Sequence, residues 1–182
     1  MVSPSRCCGA GALLAFALLG LSSAVQADVI LADNLAQATG GSDSATGTSW
    51  LAASFSTDGS AYTLSSLTLE LARTSISGTA APVVFTGTAG TLLADTTYWV
   101  VLRAVTGAFE WSWASTNLGA GAGFSTTTAT TDDAGSTWFT ATSYPYQMSV
   151  SATAVPEPGS IVLAALGAAC AFPVFRRVRR RV

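Results

Sequence analysis

The chain has 182 residues, of which only 10% are charged, and its formal net charge of −2 conceals a strong asymmetry along its length. It has no histidine, its eight basic residues are all arginine, and its three cysteines, Cys7, Cys8 and Cys170, lie in the terminal segments. The stretch from Asp28 to Ala154 thus lacks His, Lys and Cys, which excludes Ser-His-Asp and Cys-His catalysis, Schiff-base chemistry, His- or Cys-ligated zinc, iron–sulfur clusters and disulfides there.

Residues 1–27 read as a secretory signal peptide. Arg6 is a minimal charged start, Ala10 to Leu21 is an apolar core, and Val25-Gln26-Ala27 places signal-peptidase cleavage between Ala27 and Asp28. Cys7 and Cys8 precede the apolar core instead of following it, which argues against lipoprotein processing.

Residues 28–153 are then one domain of about 125 residues, long enough for its own core. Nine carboxylates face only Arg73 and Arg103 here, a net charge near −7. Such a surface offers no footprint for nucleic acid, would repel anionic polymers and could attract divalent cations. Short alternating runs between Gly, Asp and Ser clusters predict an all-β, antiparallel β-sandwich of jelly-roll-like form.

In chain order the predicted strands are Trp50–Phe55, Tyr62–Ala72, Val83–Thr86, Tyr98–Val105, the run Phe109-Glu110-Trp111-Ser112-Trp113, Phe124–Thr130, Trp138–Thr142 and Gln147–Ala152, about eight or nine in all. Leu67, Leu69 and Leu71 share one face of the second, opposite Thr68, Glu70 and Ala72. Tyr98–Val105 is apolar on both faces and reads as a central strand covered on both sides. Ile76 to Pro82 is a short connection.

Residues 154–182 form a tail in three parts: a hinge at 155–158 (Val155-Pro156-Glu157-Pro158), an apolar run at 159–175 and a basic end at 176–182. At about 1.5 Å per residue the run spans roughly 25 Å as a transmembrane helix, the lower limit for a bilayer. Arg176, Arg177, Arg179, Arg180 and Arg181 would hold its end on the cytoplasmic side. Pro156 and Pro158 stiffen the joint to the domain. Prolines, span and arginines in this order resemble the PEP-CTERM sorting signal. That resemblance implies an exosortase-like sorting enzyme as partner, membrane anchorage by the C-terminal helix before processing, and a cell-surface or biofilm-matrix destination.

Thr131-Asp132-Asp133-Ala134-Gly135-Ser136-Thr137-Trp138 resembles an Asp-box hairpin, in which Thr131, Asp133, Gly135, Thr137 and Trp138 are structural and Trp138 packs beneath the turn. The sialidase propellers that carry several such boxes need more chain and more arginines than this domain has.

A second resemblance rests on Ala32-Asp33-Asn34-Leu35, Trp50–Phe55 with Tyr62-Thr63-Leu64, and Thr96-Thr97-Tyr98-Trp99-Val100-Val101-Leu102. Trp111-Ser112-Trp113, Gly121-Ala122-Gly123-Phe124, the Asp-box and Tyr144-Pro145-Tyr146-Gln147-Met148 follow in order. Together they look like a choice-of-anchor domain, most similar to choice-of-anchor R. The resemblance implies an extracellular β module without assigned activity. The chain departs from that family between Ser75 and Val83, where a longer stretch with another strand is expected.

Few residues suggest chemistry. Glu70 and Glu110 could serve glycoside hydrolysis as a carboxylate pair, but they also read as solvated strand residues. Asp132 and Asp133 beside Gly135, or Asp28 with Asp33, could hold calcium, the only cofactor the composition suggests, though turn and strand-end chemistry accounts for both. Trp50, Trp111 and Trp113 could stack on sugar rings or fill the core. No catalytic residue, cofactor-binding residue or metal ligand is assigned. The expectation is a non-enzymatic, exported structural or adhesive protein, the alternative a carbohydrate-binding module for exopolysaccharide.

Overall fold

A computed structural model describes residues 26–73, 79–86 and 90–156. These residues form β1 (Asp28–Asp33), β2 (Thr39–Ala45), β3 (Trp50–Ser56), β4 (Tyr62–Arg73), β5 (Ala81–Thr86) and β6 (Thr91–Leu92), followed by β7 (Thr97–Leu102), β8 (Phe109–Ala114), β9 (Phe124–Thr131), β10 (Phe139–Ala141) and β11 (Met148–Ala154). Every pairing is antiparallel. No helix among the described residues is long and apolar enough to cross a membrane. The apolar signal core, the 159–175 run and the arginine cluster lie outside the described residues.

The larger sheet follows the path β1-β11-β4-β8-β2. Its axis is β4, whose one edge pairs first with β11 and then, from Leu71, with β8. The opposite edge takes β6 at Tyr62–Thr63 and β5 at Ser66–Leu71. The smaller sheet runs β10-β9-β3-β7. Leu51, Ala53 and Phe55 of β3 point from it toward Leu69 and Leu71 of β4, Trp111 of β8, and Met148 and Val150 of β11. The result is a sandwich with one buried core.

Two polar side chains lock this core at one end. Asn34, just past β1, accepts from the Met148 backbone N–H at 2.7 Å and donates to the Tyr146 carbonyl at 3.2 Å. Gln147 returns the bonds: its Nε2 donates to Gln37 O at 2.7 Å and its Oε1 accepts from Thr39 Oγ1 at 2.8 Å. Both are buried, so each of these polar groups needs the partner it has. Ala32–Leu35 and Tyr144–Met148, far apart in sequence, are two halves of one clasp.

The structure corrects the sequence reading at several places. Tyr98–Val105 is not a central strand covered on both faces: among the described strands β7 pairs with β3 alone, ends at Leu102, and leaves Trp99 and Val101 exposed while Tyr98, Val100 and Leu102 face the core. An apolar run looks doubly buried in sequence whether or not a second layer covers it. Ala81 and Pro82, read as connection, open β5. The described residues form eleven strands, the unpredicted ones being β1, β2 and β6.

Candidate functional site

The outer face of the small sheet follows from its register. Val101 pairs with Ala52, Ala52 with Ala129, and Ala129 with Thr140, so one row crosses all four strands. The two central strands contribute alanines, whose side chains are too short to fill the row. Trp99, opposite Ser54, stands on one side of it. Trp138 stands on the other, its ring tilted against Trp50 with centroids 6.5 Å apart. Small residues on inner strands and large ones on outer strands leave an apolar groove of about 380 Å³ lined by Ala52, Trp99, Val101, Ala129, Trp138 and Thr140. Trp99 is 44% and Trp138 37% exposed. No acceptor among the described residues meets either indole N–H, whereas Trp50 Nε1 donates to Gly47 O at 3.0 Å.

Arg103 sits beyond this row, its guanidinium 5.4 Å from the centre of the Trp50 ring. It is the one arginine whose side chain is among those described, and no described carboxylate is within ion-pair distance of it. β3, β7, β9 and β10 contain no acidic residue, although the domain is acidic overall.

Of the three tryptophans singled out from sequence for sugar stacking, only Trp50 belongs to this face. Trp111 is wholly buried and stacks on Tyr146 at 4.7 Å. Trp113 lies half-buried over Gly40 and Gly41, where an added Cβ would come within 2.1 and 2.4 Å of its ring. Sequence reasoning missed Trp99 and Trp138 as groove walls. The available signal was Trp99-Val100-Val101, alternating with an apolar residue on each face beside strands carrying only Ala and Ser at matching positions.

The 131–138 turn is organised around Asp133. Its Oδ1 accepts from Thr131 Oγ1 at 2.7 Å and from the Thr137 backbone N–H at 2.8 Å. Ala134 and Gly135 follow with φ of 56° and 90°. The Trp50 ring fills the space beside Gly135, so a Cβ there would be 2.7 Å from it, while Trp138 remains partly exposed. The Thr131 hydroxyl, then the Thr137 N–H, hold the Asp133 carboxyl down from its ordinary 3.8 to about 2. A depressed folded pKa stabilises above the unfolded value and loses that contribution as pH falls through the folded one. Melting temperature measured from pH 5 to pH 2 should therefore fall more steeply for the native protein than for Asp133→Asn. Parallel curves would show that the turn does not depend on this charge.

Asp132 accepts from Ser49 Oγ at 3.0 Å, and Asp28 from Ser65 and Thr153 hydroxyls at 2.8 and 2.7 Å. Those two hydroxyl bonds, Thr153 first, lower the Asp28 pKa. Asp33 bonds the Leu35 N–H at 3.0 Å. Asp28 and Asp33 occupy opposite ends of β1, roughly 17 Å apart at about 3.4 Å per residue, so the structure does not bring them together as ligands. Among the described residues no three metal-binding side chains cluster. Glu110 lies opposite Ala72, and Glu70 is two residues from Ala72 on the same face of β4, which makes the glutamates diagonal neighbours on the outer face of the large sheet. Glu110 accepts from Ser42 Oγ at 2.7 Å.

The two processing points expected from the sequence lie at one end of the fold. Asp28, the residue after the predicted signal cleavage, pairs with Thr153. Val155, the first hinge residue, donates its N–H to Ala61 O at 2.8 Å, and Pro156 follows, exposed. Glu157 and Pro158 lie outside the described residues.

No curated protein and no solved structure matches the chain. Residues 154–181 match the family of PEP-CTERM protein-sorting motifs, which implies export, a cell-surface or extracellular destination, and an exosortase-type sorting enzyme as partner.

Proposed function

We propose that the domain is a non-enzymatic surface or matrix module of the choice-of-anchor R kind, with a jelly-roll-like sandwich, delivered by its tail as a structural or adhesive component. The observation that carries this is where the sorting motif begins. Its first matched residue, Ala154, is the last residue of β11, a strand held between β1 and β4 in the large sheet. The matched sorting motif is therefore continuous with a strand paired along both its edges. Force or attachment at the tail would load β11 along its ladders with both neighbours. This suits a protein that is held by its C-terminus while presenting its remaining faces.

Removing Pro156–Pro158 tests the sorting step without touching the domain, because Val155 keeps its bond to Ala61. The native protein should appear as a shortened product at the cell surface or in the medium. The deletion should stay in the membrane fraction at a mass that retains the arginine tail. An identical, unprocessed membrane-bound product from both genes would overturn the proposal. The second reading, a carbohydrate-binding module, is favoured by one observation, the aromatic groove on the small sheet.

A further inference from the structure

We infer that this groove is a binding site for a carboxylate-bearing polysaccharide, lying across β7, β3, β9 and β10 with its acid groups turned toward Arg103. This deepens the proposed function by naming the partner of the surface module.

The groove has the shape for a flat polymer. Its floor row crosses four strands, so it is roughly 14 Å long at inter-strand spacings of about 4.8 Å. A pyranose ring offers a face of C–H groups ringed by hydroxyls. Half-exposed indole rings provide apolar area, and their free N–H groups and the Thr140 hydroxyl supply polar contacts at the groove's edges. A peptide strand is a poorer fit, since backbone pairing would follow the sheet edges instead of crossing the strands.

Charge selects the class of sugar. The domain as a whole is acidic, yet the four strands of the small sheet contribute no carboxylate, and Arg103 is exposed beside the aromatic ridge. Asp132 and Asp133, the carboxylates that follow β9 in the chain, accept hydrogen bonds from Ser49, Thr131 and Thr137. At physiological salt the screening length is about 8 Å, so the charges closest to the groove weigh most on a ligand bound there. The Arg103 guanidinium lies over the Trp50 ring, 5.4 Å from its centre, and its planar fork of N–H donors suits a carboxylate.

The test is a titration of intrinsic tryptophan fluorescence on the full chain in nonionic detergent, with polygalacturonate as the acidic probe and dextran as the neutral one. Polygalacturonate should bind, and Trp99→Ala and Trp138→Ala should each weaken it by about tenfold. Arg103→Gln should weaken polygalacturonate about three- to tenfold and remove most of its salt dependence. Phe85→Ser, exposed on β5 of the other sheet, should bind like the native protein. Circular dichroism checks that each variant is folded. Failure of the folded native protein to bind polygalacturonate would overturn the inference, as would unchanged binding by both tryptophan variants. Equal binding of dextran with no effect of Arg103→Gln would overturn the choice of an acidic sugar. Because binding is read on purified protein, its failure leaves the sorting experiment unaffected, and the converse holds.

Discussion

Trp111→Ala should destabilise the domain by about 3–5 kcal/mol, the largest loss expected from a single side chain here. The ring is wholly buried, stacks on Tyr146 with centroids 4.7 Å apart, and donates its N–H to the Gln147 carbonyl at 2.9 Å. Leu71 pairs with Trp111 across the β4–β8 junction, where one edge of β4 changes partners from β11 to β8. The ring thus fills the place where three strands meet, and alanine would leave a cavity that paired backbones cannot close. Domains of this size have about 5–15 kcal/mol in total, so the variant approaches the limit of folding. Trp111→Phe should lose less, about 1–2 kcal/mol, because most of the stacking survives and only the hydrogen bond goes. The Gln147 carbonyl still accepts from the Glu70 N–H at 3.2 Å, so no buried acceptor is orphaned. Urea unfolding followed by near-ultraviolet circular dichroism measures both. A loss below about 1 kcal/mol for the alanine variant would contradict this account of the core.

Much of the sandwich was legible because alternation reports burial wherever a second layer exists. Leu69 and Leu71 face the core as their spacing implied, and the alternation of Phe109, Trp111 and Trp113 gave the strand, with Trp111 in the core and Trp113 packed against it. The failures have physical causes. β2 reads Thr-Gly-Gly-Ser-Asp-Ser-Ala and has no apolar period, because its glycines make room for the Trp113 ring from the neighbouring strand. β7 failed in the opposite sense: Trp99 and Val101 looked like core, yet they are exposed among the described residues. That exception to the burial rule is also the groove, and large apolar side chains left outside a well-ordered sheet are what a binding face requires. Asn34 and Gln147 were invisible as a pair, since a clasp between residues over a hundred positions apart has no local signature. The sorting tail was the most legible element because its order of prolines, apolar run and arginines is a linear signal that needs no fold.

The Gly121-Ala122-Gly123 segment predicts the second large effect, through backbone contact alone. Gly123 donates its N–H to Leu31 O at 2.8 Å and accepts from the Ser56 N–H at 2.9 Å. It therefore ties β1 of the large sheet to β3 of the small one. A Cβ at this position would lie 1.7 Å from the Ser56 carbonyl oxygen and 3.2 Å from that of Leu31. Neither atom belongs to a side chain that can swing aside, so relief means separating the strands and breaking the bonds that join them. Gly123→Ala should cost about 2–4 kcal/mol. Gly121→Ala adds a second difficulty, since φ is +92° and the Cβ would meet Leu31 O at 2.4 Å. Gly119→Ala should be milder, because its obstacle is the Phe124 ring, a side chain that can shift. Gly59→Ala meets nothing within 4 Å and should change stability by less than about 0.5 kcal/mol. Thermal unfolding of the four variants should rank them in that order, with Gly121 and Gly123 well separated from Gly59. If Gly123→Ala melts with Gly59→Ala, the two sheets are not held together by this close approach, and the segment's role lies elsewhere.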